Sequence, residues 1–342
     1  MTTYQRTCAE LRTEPRQWLI TGCAGFIGSH LLETLLRLDQ RVAGLDNLST
    51  GSPANLEHVR SLVSPEQWER FTFHQGSVSD VGLCREASNY CDYVLHQAGF
   101  ISVPLSIEDP VGCHQTNVTG TLNLLVAARD NRVRRFVFAS SSAVYGDDAA
   151  AAKVEAQIGQ PLSPYGASKL MDELYARLFR EHYGLETVAL RYFNVFGARQ
   201  NPVGGYAAVI PQWIVRCVRG EECFINGDGG ITRDFCPVEN IVQANILAAT
   251  SRHREAAGNV FNVALGGSTT LAELHQLIAR RVEQQTGKPV APVRYGPARP
   301  GDIIHSSADI ARIRGVLEFS PEVDVDTGLD ATVRWYAANT QA

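Results

Sequence analysis

Tyr165 and Lys169 stand four residues apart in the run Ser163-Pro164-Tyr165-Gly166-Ala167-Ser168-Lys169, so on a helix they share one face. Ser163 suits the N-cap of that helix and Pro164 its first turn. An unperturbed phenol ionises near pH 10, and an ammonium beside it favours the phenolate. Bringing such a phenol to about pH 7 takes about 4 kcal/mol of differential stabilisation, which charge pairing at low dielectric can supply. A tyrosine tuned in this way is a base matched to neutral working pH. A surface Tyr/Lys pair has the same spacing, so the reading depends on what surrounds it.

That surrounding is set by residues 18–36, WLITGCAGFIGSHLLETLL. Trp18 to Thr21 reads as a short apolar strand, and Ile27, Leu31, Leu32, Leu35 and Leu36 fall at helical spacing. Between them lie Gly22, Gly25 and Gly28. Gly22 permits a tight turn, Gly25 a close backbone approach to a pyrophosphate, and Gly28 close packing of helix on sheet. The helix start, with Phe26 and Ile27, offers free N–H groups and a positive dipole end to phosphates. The next strand, Arg41 to Leu45, ends in Asp46, eighteen residues after Gly28, where this architecture places an acid on the adenosine ribose. A carboxylate there repels a 2′-phosphate, so the expected cofactor is NAD rather than NADP. A bound nicotinamide then adds its own positive charge to that of Lys169 in favouring a Tyr165 phenolate.

The strand 135–142 ends in Ser140-Ser141-Ser142, whose hydroxyls at a carboxyl edge can hold a reacting oxygen; polar strand-end caps would look the same. Further strand-like runs, 71–78, 93–99, 187–197 and 260–264, alternate with helical stretches near 53–63, 79–89, 113–130 and 164–183. This pattern predicts an α/β fold: a Rossmann-type, doubly wound parallel sheet covered on both faces. After residue 197 the texture loosens, with Gly204-Gly205, Gly227-Asp228-Gly229-Gly230 and Pro297-Ala298-Arg299-Pro300-Gly301. A smaller, interleaved substrate domain of about 198–235 plus 266–342 is therefore expected over the strand ends. The cofactor domain takes 1–197 plus about 236–265.

The 342 residues carry a net charge of −5 with acids and bases interspersed, so no basic stripe invites nucleic acid. Apolar content of 44% and charged content of 20% suit a soluble globular protein, and no apolar run has membrane-spanning length. The N-terminus is polar and lacks the apolar core of a signal peptide, so a cytoplasmic location is expected. The cysteines Cys8, Cys23, Cys84, Cys91, Cys113, Cys217, Cys223 and Cys236 form no C-x-x-C pair and read as reduced, mostly buried thiols. No metal site is expected, and His96 and His305 read as structural.

Together the motifs TGCAGFIGSH, LDNLSTG, SSSAVYG, SPYGASK, LRYFNVFG, INGDG…TRDF and ARPGD resemble the extended short-chain dehydrogenases/reductases, specifically the nucleotide-sugar 4-epimerases, over about residues 16–336. The segments HQA…SVP, YFNVFGARQNP and YAAVIP are most similar to the UDP-N-acetylglucosamine 4-epimerases of bacterial surface-polysaccharide pathways. The resemblance implies that Tyr165 is the base, Lys169 its ribose-binding partner, Ser141 the hydroxyl beside the sugar O4 and Ser142 a second sugar contact. It implies cofactor contacts from Asn47, Ser49, Thr50, Gly51, Ser77, Val78, Gln97, Ala98, Asn117 and Tyr192. It places Asn194, Ala208, Val209, Asn226, Arg233 and Arg299 on the UDP-sugar, Asp302 on the uridine ribose, and Ser306 at a gate beside the sugar C2 substituent. A small gate residue admits an N-acetyl group, with Ile101 narrowing the pocket from the other side. A homodimer through a four-helix bundle of 113–130 and 164–183 is likewise implied.

The chain departs from the family at three points. Ser77 stands where relatives carry an acid on the adenine, His96-Gln97-Ala98-Gly99 replaces His-x-Ala-Ala, and Phe100–Leu105 lacks a small and a basic residue. UDP-glucose and hexuronic acid forms therefore stay open beside N-acetylated sugars. Dehydratases and uronate decarboxylases of the same fold place an acid where this chain has Ala143, which disfavours both. A non-catalytic NAD-responsive protein is a further alternative; such proteins tend to lack the Tyr/Lys pair.

Overall fold

The computed structural model describes residues 1–203, 208–298 and 305–340. Its main sheet has seven strands: β1 (Gln17–Thr21), β2 (Arg41–Asp46), β3 (Phe71–Gln75), β4 (Tyr93–His96), β5 (Arg135–Ser141), β6 (Glu186–Tyr192) and β7 (Asn259–Val263). They run in the order β7-β6-β5-β4-β1-β2-β3, every pair parallel. The fold is the expected Rossmann-type sheet, and the late apolar run does return to it as an edge strand. Side chains alternate between two cores. Trp18, Ile20 and Val137 pack on one face of the sheet and Leu19, Phe136 and Phe138 on the other. All six are fully buried, each contributing about 1.5–3 kcal/mol. The chain order reverses between β1 and β4, and the crevice at that reversal is where such sheets bind ligands.

A separate apolar core holds Phe196, Ile210, Trp213, Leu274, Ile278, Leu329 and Tyr336 among the helices Val209–Arg219, Leu271–Thr286 and Val325–Asn339. It is tied to the main sheet by the parallel pair Asn194–Phe196 and Phe235–Pro237. The buried Asp234 carboxylate accepts the N–H groups of Leu265, Gly266 and Gly267 at 3.0, 2.9 and 3.1 Å. A small sheet of Thr269–Thr270, Thr232–Arg233, His305–Ala308 and Ala152–Lys153 lies nearby in the chain path.

Three elements differ from the sequence reading. The run 187–197 is not one strand: β6 ends at Tyr192, and Asn194–Phe196 leaves to pair with a different strand. The helix expected over 113–130 is interrupted by a π turn at Gln115–Thr119 between Pro110–His114 and Gly120–Asp130. An unforeseen helix, Thr3–Thr13, precedes β1. A Thr2/Gln5 capping box starts it. Its buried Leu11 and the Gln40 amide hold it in place, Gln40 donating to the Leu11 carbonyl at 2.7 Å and accepting from Trp18 Nε1 at 3.1 Å. Among the described residues no helix is long and apolar enough to cross a membrane.

Candidate active site

The backbone is tight at Gly22 and Gly28. Gly22 turns with φ +70°, and a Cβ there would stand 2.8 Å from the Ala98 amide nitrogen. A Cβ on Gly28 would stand 2.0 Å from the Gly22 carbonyl oxygen, so only glycine lets the helix Phe26–Arg37 seat against the turn. That helix has Gly25 as its N-cap and no side-chain cap, which leaves its first N–H groups for an incoming anion. Around them opens a cavity lined by Gly22, Gly25, Phe26, Ile27 and Gly28 from the loop and by Asp46, Asn47, Ser49, Thr50 and Gly51 from beyond β2. Ser77, Val78, Gln97 and Ala98 complete it, together with Ile101 and Thr116. Asp46 is buried, and its carboxylate accepts the Ala24 N–H at 2.9 Å and the Leu48 N–H at 2.8 Å. These bonds leave lone pairs for ribose hydroxyls. The cradle fits a dinucleotide.

Behind the cavity residue Gln97 three side chains close on one another. Tyr192 donates to Gln97 Oε1 at 3.1 Å, Gln97 donates to Asn245 Oδ1 at 3.1 Å, and Asn245 donates to the Tyr192 hydroxyl at 2.7 Å. Burial raises the Tyr192 pKa, so this phenol stays neutral. Asn245 was missed in the sequence, because it lies 148 residues from Gln97 on an ordinary-looking helix. Asn117, inside the π turn, spends its amide on the Phe100 backbone (2.7 and 3.1 Å) and on Ser168 Oγ (2.8 Å). It braces the loop after β4 against the Tyr165 helix; π turns recur at such sites.

Tyr165 and Lys169 sit in the first turns of the helix Pro164–Tyr183, capped by Ser163, whose hydroxyl accepts the Gly166 N–H at 3.1 Å. A Cβ on Gly166 would lie 2.7 Å from the Ala143 carbonyl oxygen, so glycine allows the helix start to close on the turn after β5. That turn carries Ser141 and Ser142, both half-buried; Ser141 Oγ accepts the Ala143 N–H at 3.1 Å and keeps its own proton to donate. Tyr165 is half-buried, and its backbone N–H donates to Ser106 Oγ at 3.1 Å. Lys169 is 4% exposed, and its Nζ lies against Gly99, next to the cavity residues Gln97 and Ala98. Beneath the serines, Glu173 accepts Ser140 Oγ at 2.5 Å and both arms of Arg191 at 2.9 and 2.8 Å. Arg191 also covers the Tyr145 ring at 4.8 Å, locking the ends of β5 and β6 to the helix.

Among the residues expected on the substrate, Arg233 and Ser306 are register partners on parallel strands. Asn226 ends the strand Phe224–Asn226, opposite Gly296. Ala208 caps the helix Val209–Arg219, which begins at Val209, and Asn194 donates to the Asp234 carbonyl at 3.3 Å. Arg299 and Asp302 lie outside the described residues. A larger cleft of about 480 Å³, against about 150 Å³ for the glycine-loop cavity, opens at the amino ends of β4, β5 and β6. Its Arg16, Arg134 and Arg135 are paired with Glu14, Asp92 and Glu186. In the second core, Cys217, Cys223 and His275 place their ligand atoms within 4.8 Å of one another, away from this chemistry.

Comparison with known proteins places the chain among related sequences and folds. Residues 18–264 match the family described as NAD dependent epimerase/dehydratase. The UDP-glucose 4-epimerase of Mycolicibacterium smegmatis is 36% identical over 325 residues, 94% of this chain and 99% of that protein. A UDP-N-acetylglucosamine 4-epimerase from Methanobrevibacter ruminantium M1, solved with UDP-N-acetylmuramic acid, is 38% identical with a TM-score of 0.85, covering 95% of this chain and 99% of that one. The UDP-glucose 4-epimerase of Thermus thermophilus, solved with NAD, is 33% identical with a TM-score of 0.80, covering 94% of this chain and 98% of that one.

Proposed function

This chain belongs to the NAD-dependent epimerase/dehydratase family, and from that premise we propose that it inverts C4 of a UDP-hexose, with N-acetylated UDP-glucosamine and UDP-galactosamine as its preferred pair. One observation supports this most directly. Gly166 brings the Tyr165 helix onto the serine turn while the Lys169 ammonium rests beside the cofactor cavity. NAD, when bound along that cavity, supplies a hydride acceptor and then a donor, with no net consumption.

In this reading Tyr165 takes the proton of the sugar 4-hydroxyl as C4 becomes a ketone. Ser141 donates a hydrogen bond to that oxygen. The 4-keto sugar turns about its diphosphate linkage, and Tyr165 returns the proton once C4 is reduced from its other face. Lys169 holds the ribose and sets its ammonium on the Tyr165 face of the helix. Gln97, Tyr192 and Asn245 form a neutral wall that excludes water from the reacting carbon. Arg233, with Arg299, meets the diphosphate charge, as guanidinium forks do.

Ala143 supports inversion over dehydration or decarboxylation, since its methyl group supplies no proton shuttle at C5. The small Ser306 supports acceptance of an N-acetyl group, and the bacterial-type motifs support a role in surface-polysaccharide synthesis. The half-exposed Met171, Leu174, Tyr175 and Leu178 on the helix Pro164–Tyr183 support a homodimer built on that face. The deciding experiment incubates the purified enzyme with UDP-N-acetylglucosamine, UDP-glucose and their uronates and resolves the products by NMR. The matching galacto-configured sugars are expected; release of CO2 or a stable 4-keto-6-deoxy sugar overturns the reading.

A further inference from the structure

One charged group at the site has no part in the reaction described above. Asp172 lies three residues beyond Lys169 on the inward face of the same helix, 1% exposed, its Oδ2 3.4 Å from Lys169 Nζ. Its Oδ1 has no hydrogen-bond partner. Burying a carboxylate this deeply is costly, and an orphaned oxygen adds to the cost. A residue of no consequence at this position would be apolar.

We propose that Asp172 is a positioning residue that holds the Lys169 ammonium against Gly99 and sets how readily the Tyr165–Lys169 pair gives up a proton. The proposal rests on the reading of Tyr165 as the base. The remaining surroundings of Asp172 fit a carboxylate. The Ala98 N–H donates to Thr21 Oγ1 at 3.1 Å, Thr21 Oγ1 meets His96 Nδ1 at 2.6 Å, and His96 Nε2 meets Thr121 Oγ1 at 3.0 Å. Burial, with the Lys169 charge, pushes the His96 pKa down to about 3, so the ring is neutral. With its proton on Nε2, each donor in the series points one way, from the cavity wall at Ala98 toward Thr121, whose hydroxyl favours the ionised Asp172. The series runs from the cofactor cavity to the carboxylate that faces the lysine.

The other ionisable groups around Asp172 are few. Glu173, on the same helix, is engaged by Arg191, and the Cys113 thiol, from the neighbouring helix, is pushed up by burial. His96 faces the lysine from β4, and Asp109, the N-cap of the helix Pro110–His114, acts on the Cys113 thiol. Burial raises the Asp172 pKa to about 6, so at neutral pH it is a carboxylate. A negative charge against the Lys169 ammonium offsets the positive charge that this lysine offers to Tyr165, one turn away on the same helix. Its removal therefore lowers the pH at which the phenol ionises.

The test compares pH profiles of kcat/KM for the holoenzyme and its Asp172→Asn and Asp172→Glu variants. The acidic limb is expected to move to lower pH by about one unit in Asp172→Asn and to stay in Asp172→Glu, which keeps the charge. An unmoved limb in Asp172→Asn, or equal movement in both, overturns the proposal. If the wild-type enzyme turns over none of the UDP-sugars, the proposed function fails and a second measurement decides this inference. The phenol is titrated in the NAD-bound protein by ultraviolet difference against Tyr165→Phe, with and without Asp172→Asn. A midpoint about one unit lower in the Asn background is expected; an unchanged midpoint overturns it.

Discussion

Arg233 and Ser306 lie side by side as register partners of two parallel strands, one carrying a guanidinium and the other a small hydroxyl. A residue placed there to hold the diphosphate therefore has the proposed C2 gate as its immediate neighbour. Ser306→Tyr fills that space. It is expected to cut kcat/KM for UDP-N-acetylglucosamine at least about tenfold more than for UDP-glucose, the range a misfitting pocket group commands. Steady-state kinetics on both sugars checks this, and equal losses refute the gate.

Tyr165→Phe removes only an oxygen from a half-buried ring. Turnover is expected to fall by at least about a hundredfold, with NAD binding and thermal stability near those of the wild type. Retained turnover would remove the base from the mechanism.

Gly28→Ala drives a methyl group into the Gly22 carbonyl. Either the helix Phe26–Arg37 shifts or the turn opens, and both spoil the anion site at the helix start. NAD affinity is expected to drop at least about tenfold, together with a lower Tm. Calorimetric titration with NAD and a melting curve read the two effects separately.

His96 gives the protein an acid sensitivity with a definite sign. Its native pKa is depressed to about 3, while an unfolded histidine binds a proton near pH 6.5. The stability it contributes is complete above the unfolded value and is lost as pH falls toward the native one. At pH 5 the loss amounts to about 2 kcal/mol. Asp172, raised to about 6, acts in the opposite sense, favouring the native state as pH falls from about 6 to its unfolded value. His96→Gln should leave a visibly flatter dependence of unfolding free energy on pH between 7 and 5. An unchanged slope in denaturant titrations would show that the ring titrates as in water.

Leu174 and Leu178 stand 47% and 38% exposed on the outer face of the helix Pro164–Tyr183. Leu174→Lys combined with Leu178→Lys is expected to turn the proposed dimer into a monomer in sedimentation velocity while the fold is kept. An unaltered sedimentation coefficient would place the interface elsewhere or remove it.

The amino-acid order by itself determined the parts of this protein ruled by short-range sterics and periodicity. The glycines at 22 and 28, the apolar strands, the Ser163 cap and the Tyr165/Lys169 spacing are local patterns, and each leads to its element with little help from the rest of the chain. Tertiary structure decided what joins distant segments. It split the run 187–197, because Asn194–Phe196 finds its partner forty-one residues later, and it put a π turn under Asn117 to reach both Phe100 and Ser168. It closed Gln97, Tyr192 and Asn245 into one ring and buried Asp172 beside Lys169. The physical reason is that buried polar groups must satisfy one another across the fold, and which ones meet depends on how helices and strands pack, which no local spacing records.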